Sequence, residues 1–198
     1  MSKFTIIIFL ILEFTKNNSH FLKQQKIVIT GGPGTGKSTI IDHLSELEFT
    51  CMPEISRTIT KEAQKNGIEQ LFLNDPLLFS QKLLEGRIEQ FHEADEAGSD
   101  TIFFDRGIPD IHGYMDYAGT PYPDVFRSKS KEFRYNSVFM MPPWREIYTT
   151  DNERYESFEQ SLLIYEHLKN CYVEMDYSII IVPEGDITDR VKFILNSL

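Results

Sequence analysis

A chain of 198 residues holds one domain with a full core and is short for two. Its 41% hydrophobic and 25% charged content is that of a soluble globular protein, while a formal charge of −10 repels polynucleotides and anionic bilayers. A general nucleic-acid or membrane role is therefore disfavoured, and any phosphate-bearing ligand must be met by locally placed cations.

Residues 4–14, FTIIIFLILEF, are intensely apolar but too short to span a bilayer comfortably, and they lack the small-residue cleavage site of a signal peptide. With the polar TKNNSH behind them, residues 1–25 read as an arm and linker. An extra edge strand, a homodimer contact, a peripheral membrane contact and translation from upstream of the natural start all stay open. Residues 26–198 read as a single domain of alternating strands and helices, which argues for a parallel sheet with helices on both faces.

The first strand is expected at 26–30 and is followed by GGPGTGKST, residues 31–39. A helix to about Leu47 leaves this turn, and a short strand at 49–52 ends at PEISR, from which a second helix runs to about Asn66. NDPLLFSQKLLEGRIEQFHEADE has a capping Asn or Asp, a proline in the first turn and apolar residues at 77, 78, 84, 88 and 91, the pattern of an amphipathic helix. Strands follow at 100–104, 136–141 and 177–183, with Pro- and Tyr-rich sequence after the first of them. A helix opens within PPWREIYTTDNERYE and runs to about Val173, and ITDRVKFIL is the last helix.

Gly31, Gly36, Lys37 and Ser38 complete the pattern G-x-x-x-x-G-K-[ST] between a strand and a helix, the context its mechanism requires. Backbone amides of Gly32, Pro33, Gly34, Thr35, Gly36, Lys37, Ser38 and Thr39 (proline excepted) can turn toward phosphates. The helix N-terminus adds partial positive charge there, Lys37 reaches the outer phosphates, and Ser38 offers a hydroxyl to Mg²⁺. A nucleoside triphosphate is therefore the expected ligand, ATP or GTP, with no residue that separates the two. PEGDITD after the last strand is expected to neighbour the adenine or guanine ring.

Ligands of such sheets bind beyond the carboxyl ends of the strands, where two acids stand. Asp105 follows TIFF, the position of a Mg²⁺ ligand or catalytic base, and Glu54 follows the second strand. Arg106 adjoins Asp105, and Arg145 and Arg154 flank EIYTTDNE. Cations at those places suit a lid closing over a transferring phosphoryl group, although Asp151, Glu153 and Glu156 can pair with Arg154 in a helical first turn. Arg127, Lys129, Lys131 and Arg134 form either a basic groove or a solvated helix face, the latter favoured, and Tyr114, Tyr117 and Tyr122 fit core better than pocket. Cys51 and Cys171 are distant in sequence, and the five histidines show no metal-ligand spacing, so free thiols in the cytoplasm are expected and no zinc site.

GGPGTGKST, PEISR, FFDRGIPD, YNSVFMMPPW, DNERYE and IIIVP occur in an order and spacing that resembles the NadR-type AAA-domain family of P-loop ATPases. That family groups the ribosylnicotinamide-kinase part of a bacterial NAD regulator with a TRP-channel translocation-defect protein. The resemblance covers about residues 26–195. It implies a P-loop NTPase three-layer α/β sandwich of the nucleoside- and nucleotide-kinase kind, with five parallel strands, rather than a ring-forming motor. Similarity to those kinases suggests Glu54 as base near an acceptor hydroxyl and Asp105-Arg106 as the metal and phosphate pair. The leading expectation is an ATP- or GTP-dependent phosphotransferase using Mg²⁺ and a small hydroxylated acceptor, nucleosides among the candidates. The competing expectation is a nucleotide-dependent switch acting through a protein or membrane partner.

Overall fold

The computed structural model describes residues 24–148 and 156–198. Its strands are β1 (Gln25–Gly31), β2 (Thr50–Met52), β3 (Thr101–Asp105), β4 (Ser137–Met141) and β5 (Ile179–Ile181). All pair in parallel in the order β2-β3-β1-β4-β5. The described helices are α1 (Lys37–Glu46), α2 (Ser56–Lys65), α3 (Leu71–Asn74), α4 (Pro76–Glu96), α5 (Ile108–Ala118), α6 (Val125–Glu132), α7 (Phe158–Glu174) and α8 (Ile187–Asn196). The apolar arm at 4–14 lies outside the described residues. Among the described residues no helix is long and apolar enough to cross a membrane.

Alternation along β1 assigns the two faces of the sheet. Ile27 and Ile29 pack with Ile40, Ile41 and Leu44 of α1 and Val191 and Ile194 of α8. Val28 points the other way, into a cluster with Phe104, Ala94 of α4 and Ile164, Leu168 and Tyr172 of α7. Burial on both sides explains why the central strands are nearly continuous apolar runs. A third cluster, Leu84, Ile108, Ile111, Met115 and Phe126, ties α4, α5 and α6 together.

The register fixes which residues meet at the carboxyl edge. Ile29 lies beside Asp105 of β3 and Phe139 of β4, and the Arg106 amide donates to the Ile29 carbonyl at 3.0 Å. The ends of β3 and β4 therefore flank the turn that leaves β1.

Two expectations change. The helix after β4 begins at Phe158, not within DNERYE, because Ser157 and Gln160 form a reciprocal capping box: the Gln160 amide donates to Ser157 Oγ at 3.2 Å and the Ser157 amide to Gln160 Oε1 at 2.7 Å. Arg154 lies outside the described residues. On α4, capped by Asp75 with Pro76 in the first turn, Leu78 is exposed, and the buried face carries Ser80, Arg87 and Gln90 beside Leu84 and Ala94.

Candidate functional site

The loop after β1 needs glycine for two distinct reasons. Gly31 has φ 145°, and a Cβ there would stand 2.4 Å from the Met141 carbonyl oxygen of β4. Gly34 has φ 72°, and a Cβ there would meet the Tyr148 ring at 2.6 Å. The chain thus turns tightly against β4 and under Tyr148 before entering α1 at Lys37.

Lys37 is buried, and its ammonium donates to the Gly32 carbonyl at 2.6 Å and approaches the Thr35 hydroxyl at 3.4 Å. Burial, helped by the Arg106 charge, lowers its pKa to about 7 against the pull of Asp105, Glu54 and Asp110. Ser38 and Thr39 are exposed at the start of α1.

Facing the loop stands an acid–arginine centre. Arg106 donates through Nε to Glu54 Oε1 at 3.0 Å and through a terminal nitrogen to the Gly31 carbonyl at 3.1 Å, and lies 3.6 Å from Asp110. It holds a left-handed backbone at φ 71°, which a side chain with a Cβ adopts only under constraint. Burial raises the Glu54 carboxyl, but Arg106, Arg87 and Lys37 with the Ser56 hydroxyl outweigh it and hold the pKa down to about 2. Asp105 goes the other way: burial, then the Glu54 charge, push it above the usual carboxylate range despite Lys37 and Arg106. Its Oδ1 is buried with no hydrogen-bond partner among the described residues. A buried carboxyl oxygen with unmet demand, close enough to Lys37 to feel its charge, suits a hard cation that keeps most of its waters. Lys37, Glu54, Asp105 and Arg106 are thus brought together, as their positions at strand ends imply.

Arg145 is not brought to that centre. Its guanidinium pairs with Glu159 at 3.1 Å and lies 4.1 Å from the centre of the Phe158 ring, with both partners of the pair about 70% exposed. The basic run behaves as a solvated, internally paired face. Arg127 binds Glu174 and Asp116, Lys129 binds Glu132, and Arg134 donates to the Met175 and Asp176 carbonyls just beyond α7.

Several site residues gave little sequence signal. Asp110 is buried, accepts from Thr30, the Gly107 amide and the Tyr172 hydroxyl, and so fixes the turn after β3. Its clue was DRGIPD, where a second acid follows the first by five residues. Arg190 on α8 is buried, and donates to the Thr35 carbonyl at 3.2 Å, with its guanidinium 5.9 Å from the centre of the Trp144 ring. Arg190, Trp144, Ile147 and Gly185–Ile187 line a cleft of about 410 Å³ that opens beside Gly34, Gly36 and Thr39. The residues after β5 do border the loop. A second cavity of about 350 Å³ is lined by Gln70, Phe72, Leu73, Tyr117, Glu156 and Gln160. Tyr117 on its wall follows Tyr114 by one turn of α5. Arg106 lies 5.2 Å from the centre of the Tyr114 ring, and burial pushes that hydroxyl up to about 12, with Glu54 and Glu156 among the charges it feels. Tyr114 and Tyr122 are partly buried and pack against the core, as expected, whereas Tyr117 also lines the cavity. Cys171 and His112 meet at 3.2 Å but are both buried, and the thiol is pushed up by its burial.

Comparison with known proteins completes the description. The profile of the AAA-domain family matches residues 26–190. The chain belongs to that family. No curated protein sequence matches it. Among solved structures, deoxyadenosine kinase from M. mycoides with products dCMP and a flexible dCDP bound aligns at TM-score 0.65 and 18% identity, over 87% of this chain and 98% of the other. NadR protein in complex with NAD and AMP-PNP aligns at TM-score 0.64 and 16% identity, over 88% of this chain but 48% of that one, so this AAA-domain chain spans about half of NadR. Thymidylate kinase from Ehrlichia chaffeensis aligns at 0.58 and 14%, over 88% and 98%. This AAA-domain protein has the P-loop fold of nucleoside and nucleotide kinases.

Proposed function

We propose that the protein is a phosphotransferase that moves the terminal phosphoryl group of ATP or GTP to a small hydroxylated acceptor. The observation that carries this is the Glu54–Arg106 pair, 3.0 Å apart, facing a Walker lysine across one crevice. A phosphate cradle and a metal ligand suffice for a switch, whereas a part-buried glutamate held ionised by an arginine at the mouth of the same crevice also suits an acceptor hydroxyl. Phosphoryl transfer needs an acceptor to hold and cations to receive spreading charge.

Each group has a task. The 32–39 amides and Lys37 grip the triphosphate, and phosphate charge restores the proton that burial weakens on the lysine. Arg106 faces the transferring group. Glu54, ionised above about pH 2, accepts the hydrogen bond of the acceptor hydroxyl and orients it in line. With so low an affinity for protons it takes one late in the reaction, as suits a loose transition state. Ser38 and Asp105 would hold Mg²⁺, which when bound supplies charge neutralisation between the outer phosphates. The base would rest in the Trp144–Arg190 cleft, and the acceptor would enter from the cavity at Tyr117 and Glu156. A nucleoside-like ring suits the aromatic and amide side chains there.

The test is coupled ADP release with Mg²⁺ across a panel of nucleosides, sugars and vitamins. The expected result is turnover stimulated by an acceptor and abolished in Lys37→Ala. If no acceptor raises turnover above the hydrolytic background, the proposal fails and the switch takes its place.

A further inference from the structure

Helix α4 contributes nothing to the phosphate loop, yet it buries a charged and an amide side chain on its inner face. Arg87 is 2% exposed. One of its terminal nitrogens donates at 2.9 Å to both the Asp105 and the Arg106 carbonyl, and the other stands 3.9 Å from Glu54. One turn on, Gln90 donates to the Pro53 carbonyl at 2.7 Å. One residue before Arg87, Gly86 lets the helix close on the same loop: a Cβ there would meet Ile55 Cδ1 at 2.7 Å. Residues 86, 87 and 90 therefore touch both loops that carry the acid–arginine pair.

We propose that Arg87 is a positioning residue: α4 braces the β2–α2 and β3–α5 loops so that Glu54 and Arg106 meet in one fixed geometry. The physical reason lies in the turn after β3. Arg106 is left-handed there, a conformation that persists only when its surroundings over-determine it. A terminal nitrogen whose two N–H groups are fixed in the guanidinium plane and bond two successive carbonyls constrains the peptide between them, and a lysine ammonium brings no second nitrogen toward Glu54. The second terminal nitrogen stands beside Glu54, so one side chain reaches both loops that carry the pair. A surface role is excluded by burial, and a purely space-filling role by the paired carbonyls.

The kinetic part of the test rests on the phosphotransfer proposed above, and the structural part does not. Arg87→Met keeps length and apolar volume while removing the N–H donors to both carbonyls. The expected kinetic result is a loss in kcat on the order of 100-fold with the nucleotide KM within about twofold, since a displaced catalytic group costs rate without loosening the phosphate loop. Arg87→Lys recovers part of it. In crystals of the Met variant, Arg106 should leave its positive φ and its contact with Glu54 should open beyond hydrogen-bond reach. Retention of both in the Met variant, or an unchanged kcat, overturns the proposal. Should the Met variant fail to fold, Gln90→Leu tests the same brace from the Glu54 side: a fall in kcat at constant nucleotide KM supports it, and wild-type kinetics overturn it. If the wild-type protein transfers phosphate to no acceptor, the functional proposal falls, while the crystallographic comparison still decides the brace.

Discussion

Lys37 offers the sharpest test of the electrostatics. Its pKa falls from 10.5 to about 7 because burial strips the ammonium of water, leaving it the Gly32 carbonyl and the Thr35 hydroxyl among the described residues. An amine that prefers to be charged in the unfolded chain binds more protons there than in the native state between pH 7 and 10.5, so native stability rises with pH through that window. The full linkage is about 5 kcal/mol, and the part recovered between pH 6 and 8.5 is about 2 kcal/mol. Above that range Cys51 and the buried tyrosines, whose native pKa values are raised, titrate first in the unfolded chain and act in the opposite sense. Lys37→Met removes the ammonium and keeps the length. Urea unfolding of both proteins at half-unit steps from pH 6 to 8.5, without nucleotide, should show the wild type gaining about 2 kcal/mol on the variant. A saturating triphosphate should flatten the wild-type curve, because the ligand charge returns the native pKa toward its ordinary value. Parallel wild-type and variant curves would refute the desolvation account, as would a wild type that loses ground toward pH 8.5.

Other consequences are more local. Gly31→Ala sets a methyl 2.4 Å from the Met141 carbonyl at a positive φ, and should lower unfolding free energy by about 3 kcal/mol or more in urea; a loss below about 1 kcal/mol contradicts the close approach. Trp144 is the sole tryptophan and lines the cleft beside the loop, so bound nucleotide should change its emission, and Arg190→Ala should weaken affinity several-fold. Unchanged emission during calorimetrically proven binding would move the base elsewhere. Arg145→Ala should leave the urea midpoint where it is, because its exposed pair with Glu159 is screened by solvent. If Arg145 belongs to a closing lid, the same variant loses turnover, and wild-type rates would remove it from the site.

Much of the candidate site could be read from sequence because the residues that suggest its chemistry lie close together in the chain. Gly36-Lys37-Ser38 between an apolar run and a helix defines a phosphate loop within ten residues, and Glu54 and Asp105 were found by asking what ends each strand. The strands after β1 and the helix start at Pro76 followed from runs and caps in the same way. DNERYE misled because charged residues suit a helix's first turn, whereas the reciprocal bonds of Ser157 and Gln160 set the start. On α4, a spacing of apolar residues could not show that the helix also buries an arginine and a glutamine. A charge among Leu84, Ile88 and Phe91 reads as a solvated helix edge until its partners are known.

The sequence by itself determined the loop, the parallel α/β layering and the two strand-end acids, each being written in residues a few positions apart. Only the tertiary structure decided that Glu54 meets Arg106 across 52 positions, that Arg190 reaches Thr35 across 155, and that Arg87 holds the turn between them all. Periodicity tells which face of an element is apolar, but a polar side chain takes its role from the carbonyl or carboxylate brought to it, and that pairing exists only once distant segments pack.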